Sequence, residues 1–136
     1  MNSLVDTNIV VRFLTGDESE KAERYLSLFE GGRRREFDLY TSESIIAEVA
    51  YVLSSKQLYA KSRIEIADSL PSLLEGRGIR LDHKSTVVSA LGRYRNGQLN
   101  FEDCIAVEHV LRLGLDGIHS YDRKLGREEG ITRLEP

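Results

Sequence analysis

A chain of 136 residues with 40% hydrophobic content fits one domain of the usual ~100 to 200 residues and is long enough to bury a real core. Its net charge of -3 excludes a protein that coats nucleic acid by bulk attraction, so a phosphate backbone would have to be held by a local basic rim. The longest apolar run, Val49 to Leu53, falls short of the ~20 residues that span a bilayer, and the N-terminus has no basic-then-apolar leader, so a cytoplasmic protein with no membrane partner is expected.

The elements alternate along the chain. Leu4 and Val5 form a run too brief for a helix and read as a strand leading into Asp6-Thr7-Asn8, after which Ile9, Val10, Phe13 and Leu14 recur at helical spacing. Asp17 to Glu20 resembles a capping box, and Ala22, Tyr25, Leu26 and Phe29 supply the stripe of a helix that Gly31-Gly32 is expected to end. Leu39 to Thr41 reads as a strand, and Ser42 as the cap of a helix that turns Ile45, Ile46, Val49, Val52 and Leu53 inward and carries Glu48 on its flank. Ser62 caps a further helix with Ile64, Ala67, Leu70 and Leu74 inward, Pro71 inside the pattern as a possible kink, and Gly76 and Gly78 as its stop.

The second half repeats the pattern. Ile79 to Leu81 is a strand, Val87, Val88 and Leu91 mark a helix, and Gly97 interrupts before Asn100 begins the next one. That helix runs from Phe101 to Leu113 with Ile105, Ala106, His109, Val110 and Leu113 as its stripe, closed by Gly114. Ile118 to Ser120 and Ile131 to Leu134 are two final strands joined through a turn at Asp122. Strands separated by helices must cross over and run parallel. The expected fold is therefore one α/β domain over residues 1–136, a three-layer α/β/α sandwich with a central parallel sheet of about five strands.

Asp6, Glu48, Asp103 and Asp122 all fall near the starts of helical or turn segments that follow strands. Each has an ordinary reading by itself: Asp6 and Asp103 as acids stabilising a helix N-terminus, Glu48 as a solvated flank residue, Asp122 as a turn starter. Strand ends in an open parallel sheet point to one crevice, where all four could converge on a metal ion. Hard oxygen ligands select Mg²⁺ or Mn²⁺. The single cysteine, Cys104, sits in an apolar series and reads as a core thiol, and His83, His109 and His119 lack metal-ligand spacing. Candidates for a basic rim are Arg12, Arg33 to Arg35, Arg93 and Arg95 around Tyr94, and Arg123-Lys124; Tyr94 could stack on a base or lie half-buried on a helix.

Asp6-Thr7-Asn8, Ser44 with Glu48 in Ser-Ile-Ile-Ala-Glu-Val, Phe101-Glu102-Asp103-Cys104-Ile105-Ala106 and Ser120-Tyr121-Asp122-Arg123 together resemble the PIN-domain nucleases over essentially the whole chain. The short chain and the Gly-Asp after the first helix look like the toxin half of a VapBC-type toxin-antitoxin pair. The resemblance implies a metal-dependent endoribonuclease that cleaves RNA, with Asp6, Asp103 and Asp122 as Mg²⁺ or Mn²⁺ ligands and Glu48 binding a second ion or a metal water. Asn8 and Ser120 would orient the carboxylates. Implied partners are an RNA substrate, a cognate antitoxin and a second copy in a homodimer. Asn100 and Lys124 stand where many relatives carry further acids. A phosphatase of the haloacid dehalogenase type would need a second Asp where Asn8 stands; a catalytically inactive PIN-like module that binds RNA or protein is the alternative.

Overall fold

Every strand in this chain is two residues long, so the fold depends on capped helices more than on sheet ladders. The computed structural model describes residues Met1–Pro136, the side chain of Ser19 excepted. Strands β1 (Ser3–Leu4), β2 (Leu39–Tyr40) and β3 (Ile79–Arg80) form one parallel ladder in the order β1-β2-β3, with Ser3, Leu39 and Ile79 in register and Leu4, Tyr40 and Arg80 in register. Alternation sends Leu39 and Ile79 into the core, while Leu4 and Tyr40 stay exposed. Strands β4 (Ile118–His119) and β5 (Arg133–Leu134) pair in parallel as a second ladder. The α/β class, the five strands and their parallel sense match expectation, and the hydrogen-bonded ladder divides into three strands and two.

Six α-helices occupy the connections: α1 (Thr7–Thr15), α2 (Ala22–Arg33), α3 (Glu43–Ser54), α4 (Arg63–Leu74), α5 (Lys84–Asn96) and α6 (Phe101–Leu113). Their starts follow from local chemistry. The Ser42 hydroxyl accepts from the Ile45 amide at 3.2 Å, Ser62 and Glu65 form a reciprocal capping box, and Asn100 Oδ1 accepts from the Asp103 amide at 2.8 Å. Gly16 and Gly114 close α1 and α6 in the left-handed conformation.

One expectation about breakers is corrected. Gly31 and Gly32 lie inside α2, where a Cβ on Gly32 would meet the Gly78 carbonyl oxygen at 2.6 Å and Leu39 Cδ1 at 3.0 Å. Gly32 allows close approach of the helix to the chain entering β3, and Gly31 makes room for the Phe37 ring. Pro71 lies within α4, which continues to Leu74.

The core is continuous across both halves. Helix α4 packs on α5, α5 on α6, α1 on α3 and α3 on α6, burying Val10, Ile46, Val49, Leu70, Leu74, Val87, Leu91 and Val107 completely or nearly so. Each such side chain contributes roughly 1.5 to 3 kcal/mol of transfer free energy. Arg63 ties the α5–α6 connection by donating to the carbonyls of Tyr94, Gln98 and Leu99 at 3.1, 3.1 and 2.5 Å, which supplies partners that a helix C-terminus lacks. Among the described residues, no helix is long and apolar enough to cross a membrane.

Candidate functional site

The crossing from β1 to α1 places the first acid. Val5 donates to the Tyr40 carbonyl at 2.7 Å, and the Thr41 hydroxyl reaches the Val5 carbonyl at 3.4 Å, so the ends of β1 and β2 are held side by side. Asp6 follows as the N-cap of α1, in extended geometry, with Oδ1 accepting from the Thr7 amide at 2.8 Å. Its carboxylate is exposed. One oxygen is thus fixed by the backbone while the other is left for a ligand.

Glu48 reaches the same corner from α3. Its Oε2 accepts from the hydroxyl of Thr7 at 2.8 Å, a contact across 41 positions that pins an otherwise exposed carboxylate beside the Asp6 turn. Thr7 itself is buried, at 5% exposure. No periodicity or spacing in the sequence points to this threonine. Its only local signal is its place directly after a capping aspartate.

Asp103 and Asp122 form the second pair. Asp103 lies in the first turn of α6, its amide capped by Asn100. Burial pushes its carboxyl above the ordinary range, and the negative charges of Asp122 and Glu102 push it further, against an opposing pull from Lys124. A carboxyl held by a helix N-terminus would ordinarily move the other way. The upward shift therefore reports burial first and the neighbouring carboxylates of Asp122 and Glu102 second. Asp122 follows β4, caps a 3₁₀ turn over Arg123–Arg127, and accepts from the Lys124 amide at 3.0 Å.

Ser120 acts on Asp122 through the backbone: its hydroxyl accepts from the Asp122 amide at 3.0 Å, while Arg133 holds its carbonyl at 2.8 Å. Asn8 is exposed on the second residue of α1. The two acidic pairs are linked through helix packing. Ala47 of α3 and Glu102 of α6 line one cleft, and Glu48 and Asp103 are their immediate neighbours in sequence.

The donor chemistry suits a hard divalent cation, since every candidate ligand is a carboxylate oxygen and a cation would relieve the repulsion recorded at Asp103. Even so, among the described residues no group of three or more acidic, histidine or cysteine side chains is gathered closely enough to hold a metal ion. Asp122 is near enough to act on Asp103, and Glu48 is held at Thr7, the residue after Asp6.

Several candidates for the basic rim have other work. Arg93 bridges Glu108 at 3.0 Å and Glu128 at 2.8 Å, Arg95 pairs with Asp68 at 2.9 Å, and Arg12 with Glu18 at 2.9 Å. Tyr94 is buried, packed edge-on to Phe101 with the Arg63 guanidinium 4.4 Å above its ring; it has no face to offer a base. Arg123 and Lys124 remain exposed beside Asp122. His109 is half-buried and lies against Glu43 at 3.0 Å, and Cys104 is the core thiol expected, fully buried and pushed up to about 12 by burial.

A family model described as PIN domain matches residues 3–129, a span that includes all four acids. No curated protein matches the chain.

Proposed function

Because the chain belongs to the PIN-domain family, whose members are generally Mg²⁺-dependent nucleases, we propose that it is an endoribonuclease that hydrolyses RNA phosphodiester bonds. The observation that carries the proposal is the placement of Asp6, Asp103 and Asp122 at the starts of α1, α6 and the 3₁₀ turn of a PIN-family chain, with Asp122 near enough to Asp103 to add to the upward push that burial gives its carboxyl. Repulsion between carboxylates is unfavourable in the metal-free protein and becomes favourable when a cation lies between them.

In this reading Asp6, Asp103 and Asp122 would close on Mg²⁺ or Mn²⁺ as it binds, since among the described residues no three acids are already gathered closely enough to hold it. A bound divalent ion neutralises charge on phosphoryl oxygens and lowers the pKa of a bound water. The chain's own residues supply the rest. Thr7 holds one Glu48 oxygen and leaves the other to orient a water, Ser120 sets the backbone of Asp122, and Arg123 and Lys124 offer exposed cations to an approaching phosphate. Lys124 already offsets negative charge at Asp103, a part that an acid there could not play.

The wider reading is that of a VapBC-type toxin, active as a homodimer and silenced by a cognate antitoxin. It is supported by the sequence resemblance, including Gly16-Asp17 after the first helix. The alternative, an inactive PIN-like module that binds RNA or protein, is favoured by one observation: among the described residues no three acids are gathered as one ligand set.

Cleavage of a panel of structured RNAs with Mg²⁺ or Mn²⁺, and its loss in EDTA, separates the two. Asp6→Asn and Asp103→Asn are expected to abolish cleavage while leaving the circular dichroism spectrum unchanged. Metal should also stabilise the wild type by about 2.7 kcal/mol at one hundred times its dissociation constant. Retained cleavage in both variants, or no response to metal by either measure, overturns the proposal.

A further inference from the structure

Beside the acids, α3 and the start of α6 enclose a cleft of about 450 Å³, within the usual range for small-ligand sites. Tyr51 stands on its wall at 72% exposure, an exposed large hydrophobic residue on α3. It follows Glu48 by three positions, so the two side chains share one face of the helix. Ala47 and Ala50, also on the wall, are too small to fill the space in front of the ring. On the opposite side lies Glu102, the neighbour of Asp103.

The cleft also carries positive charge that no carboxylate fully answers. Arg63 lines it and is held by three backbone carbonyls, with no carboxylate partner among the described residues. A guanidinium fixed in this way keeps its whole charge and cannot swing away. Lys61 lines it too, and its ion pair among the described residues is a long one, 3.6 Å to Glu65. An exposed aromatic ring next to two cations is the pairing that binds single-stranded nucleic acid, the ring taking a base and the cations its phosphates. An exposed tyrosine alone would be unremarkable on a helix surface. Its place on the Glu48 face, over an open cleft with a fixed cation, is what singles it out.

We propose that this cleft is a nucleotide subsite, in which Tyr51 stacks on the base of a nucleotide flanking the scissile phosphate while Lys61 and Arg63 meet its phosphate. The subsite rests on the ribonuclease reading for its orientation, but not for its existence. A strand whose phosphate lies at Glu48 and Asp103 passes directly over α3, and the unpaired base next to it finds Tyr51. Substrate choice then depends on stacking, which favours single-stranded segments over paired ones.

Two readouts test the subsite. The first is fluorescence anisotropy of a labelled eight-nucleotide single-stranded RNA in EDTA, so that binding is measured without cleavage. The second is steady-state cleavage of the same RNA with Mg²⁺, intact or with one base deleted next to the cut. Tyr51→Ala is expected to weaken binding and raise KM by roughly tenfold with kcat nearly unchanged, and Tyr51→Phe to restore both. Deleting the flanking base should weaken wild-type binding similarly and leave Tyr51→Ala no weaker than before. If wild type cleaves and Tyr51→Ala matches it in binding and KM, the subsite is overturned and the nuclease reading stands. Tyr51-dependent binding without cleavage sustains the subsite and overturns the nuclease; neither binding nor cleavage overturns both.

Discussion

The Thr7 hydroxyl donates to Glu48 Oε2 at 2.8 Å, joining the helix that begins after the first strand to the helix that begins after the second. The residue that Asp6 caps is thus the same one that holds Glu48. Replacing Thr7 with valine keeps its shape and removes only the donor. Glu48 is exposed and water can take the vacated place, so the expected loss of stability is about 1 kcal/mol or less. Cleavage should fall further than stability does, by roughly tenfold in kcat, because the carboxylate loses its orientation. Urea denaturation and single-turnover cleavage of Thr7→Val, compared with Thr7→Ser, measure the two effects separately.

Asp103 predicts an opposition between stability and activity. Its carboxyl is raised in the folded protein by burial and by Asp122, so the fold binds its proton more tightly than the unfolded chain does. The associated stability is present below the unfolded carboxylate value and is lost as pH rises through the folded one. At neutral pH the charged group therefore opposes folding. Asp103→Asn should melt at a higher temperature than wild type without metal, show a smaller fall in stability between acid and neutral pH, and cleave nothing. A variant that melts lower than wild type at neutral pH would show that crowding at this position is not felt.

Arg93 is a structural cation. It joins α5 to α6 through Glu108, and both to the segment near the C-terminus through Glu128. The arginine and Glu108 side chains are only 23% and 12% exposed. Arg93→Met should cost about 2 to 3 kcal/mol, less than a fully buried pair, because Glu108 is left with a charge and no partner. Adding Glu108→Gln should recover a good part of that loss. Thermal melts of the single and double variants decide it, and RNA binding by Arg93→Met should not change.

Cys104 sets a high-pH limit. Its thiol is fully buried and pushed up to about 12, whereas in the unfolded chain it ionises near 9. Folding stability linked to this group is whole below pH about 9 and falls as pH rises towards 12. Iodoacetamide should therefore label Cys104 only at the rate of unfolding at pH 8, and Cys104→Ala should flatten the stability profile above pH 9.

What could be read in advance was local. Asp6, Ser42, Ser62 and Asn100 cap helices because the bond partner lies within three residues, and such short-range geometry is written in the order of residues. Glu48 and Asp103 were located, but not their partners: Thr7 is 41 positions from Glu48, and only the folded chain makes them neighbours. The same limit explains Arg93 and Arg95, which resemble a basic rim until the packing of α5 on α4 and α6 supplies Asp68 and Glu108, and the end of the 3₁₀ turn supplies Glu128. Gly31 and Gly32 read as a helix end because their local propensity favours one, and the approach of Gly78 overrides it. Tyr51 carried no pattern at all. It is conspicuous only because the alanines beside it leave a cleft that adjacent helices might have filled.

Asp6 and Asp122 each give one oxygen to the amide of a nearby residue, at 2.8 and 3.0 Å. Such a carboxylate has already lost most of its torsional freedom before any ligand arrives, so capture of an ion costs little further side-chain entropy. Reach is fixed as tightly as direction. A glutamate in either place would carry the same charge on one more methylene, and the free oxygen would be displaced while the helix start lost its cap. At these two positions side-chain length is therefore as stringent a requirement as acidity.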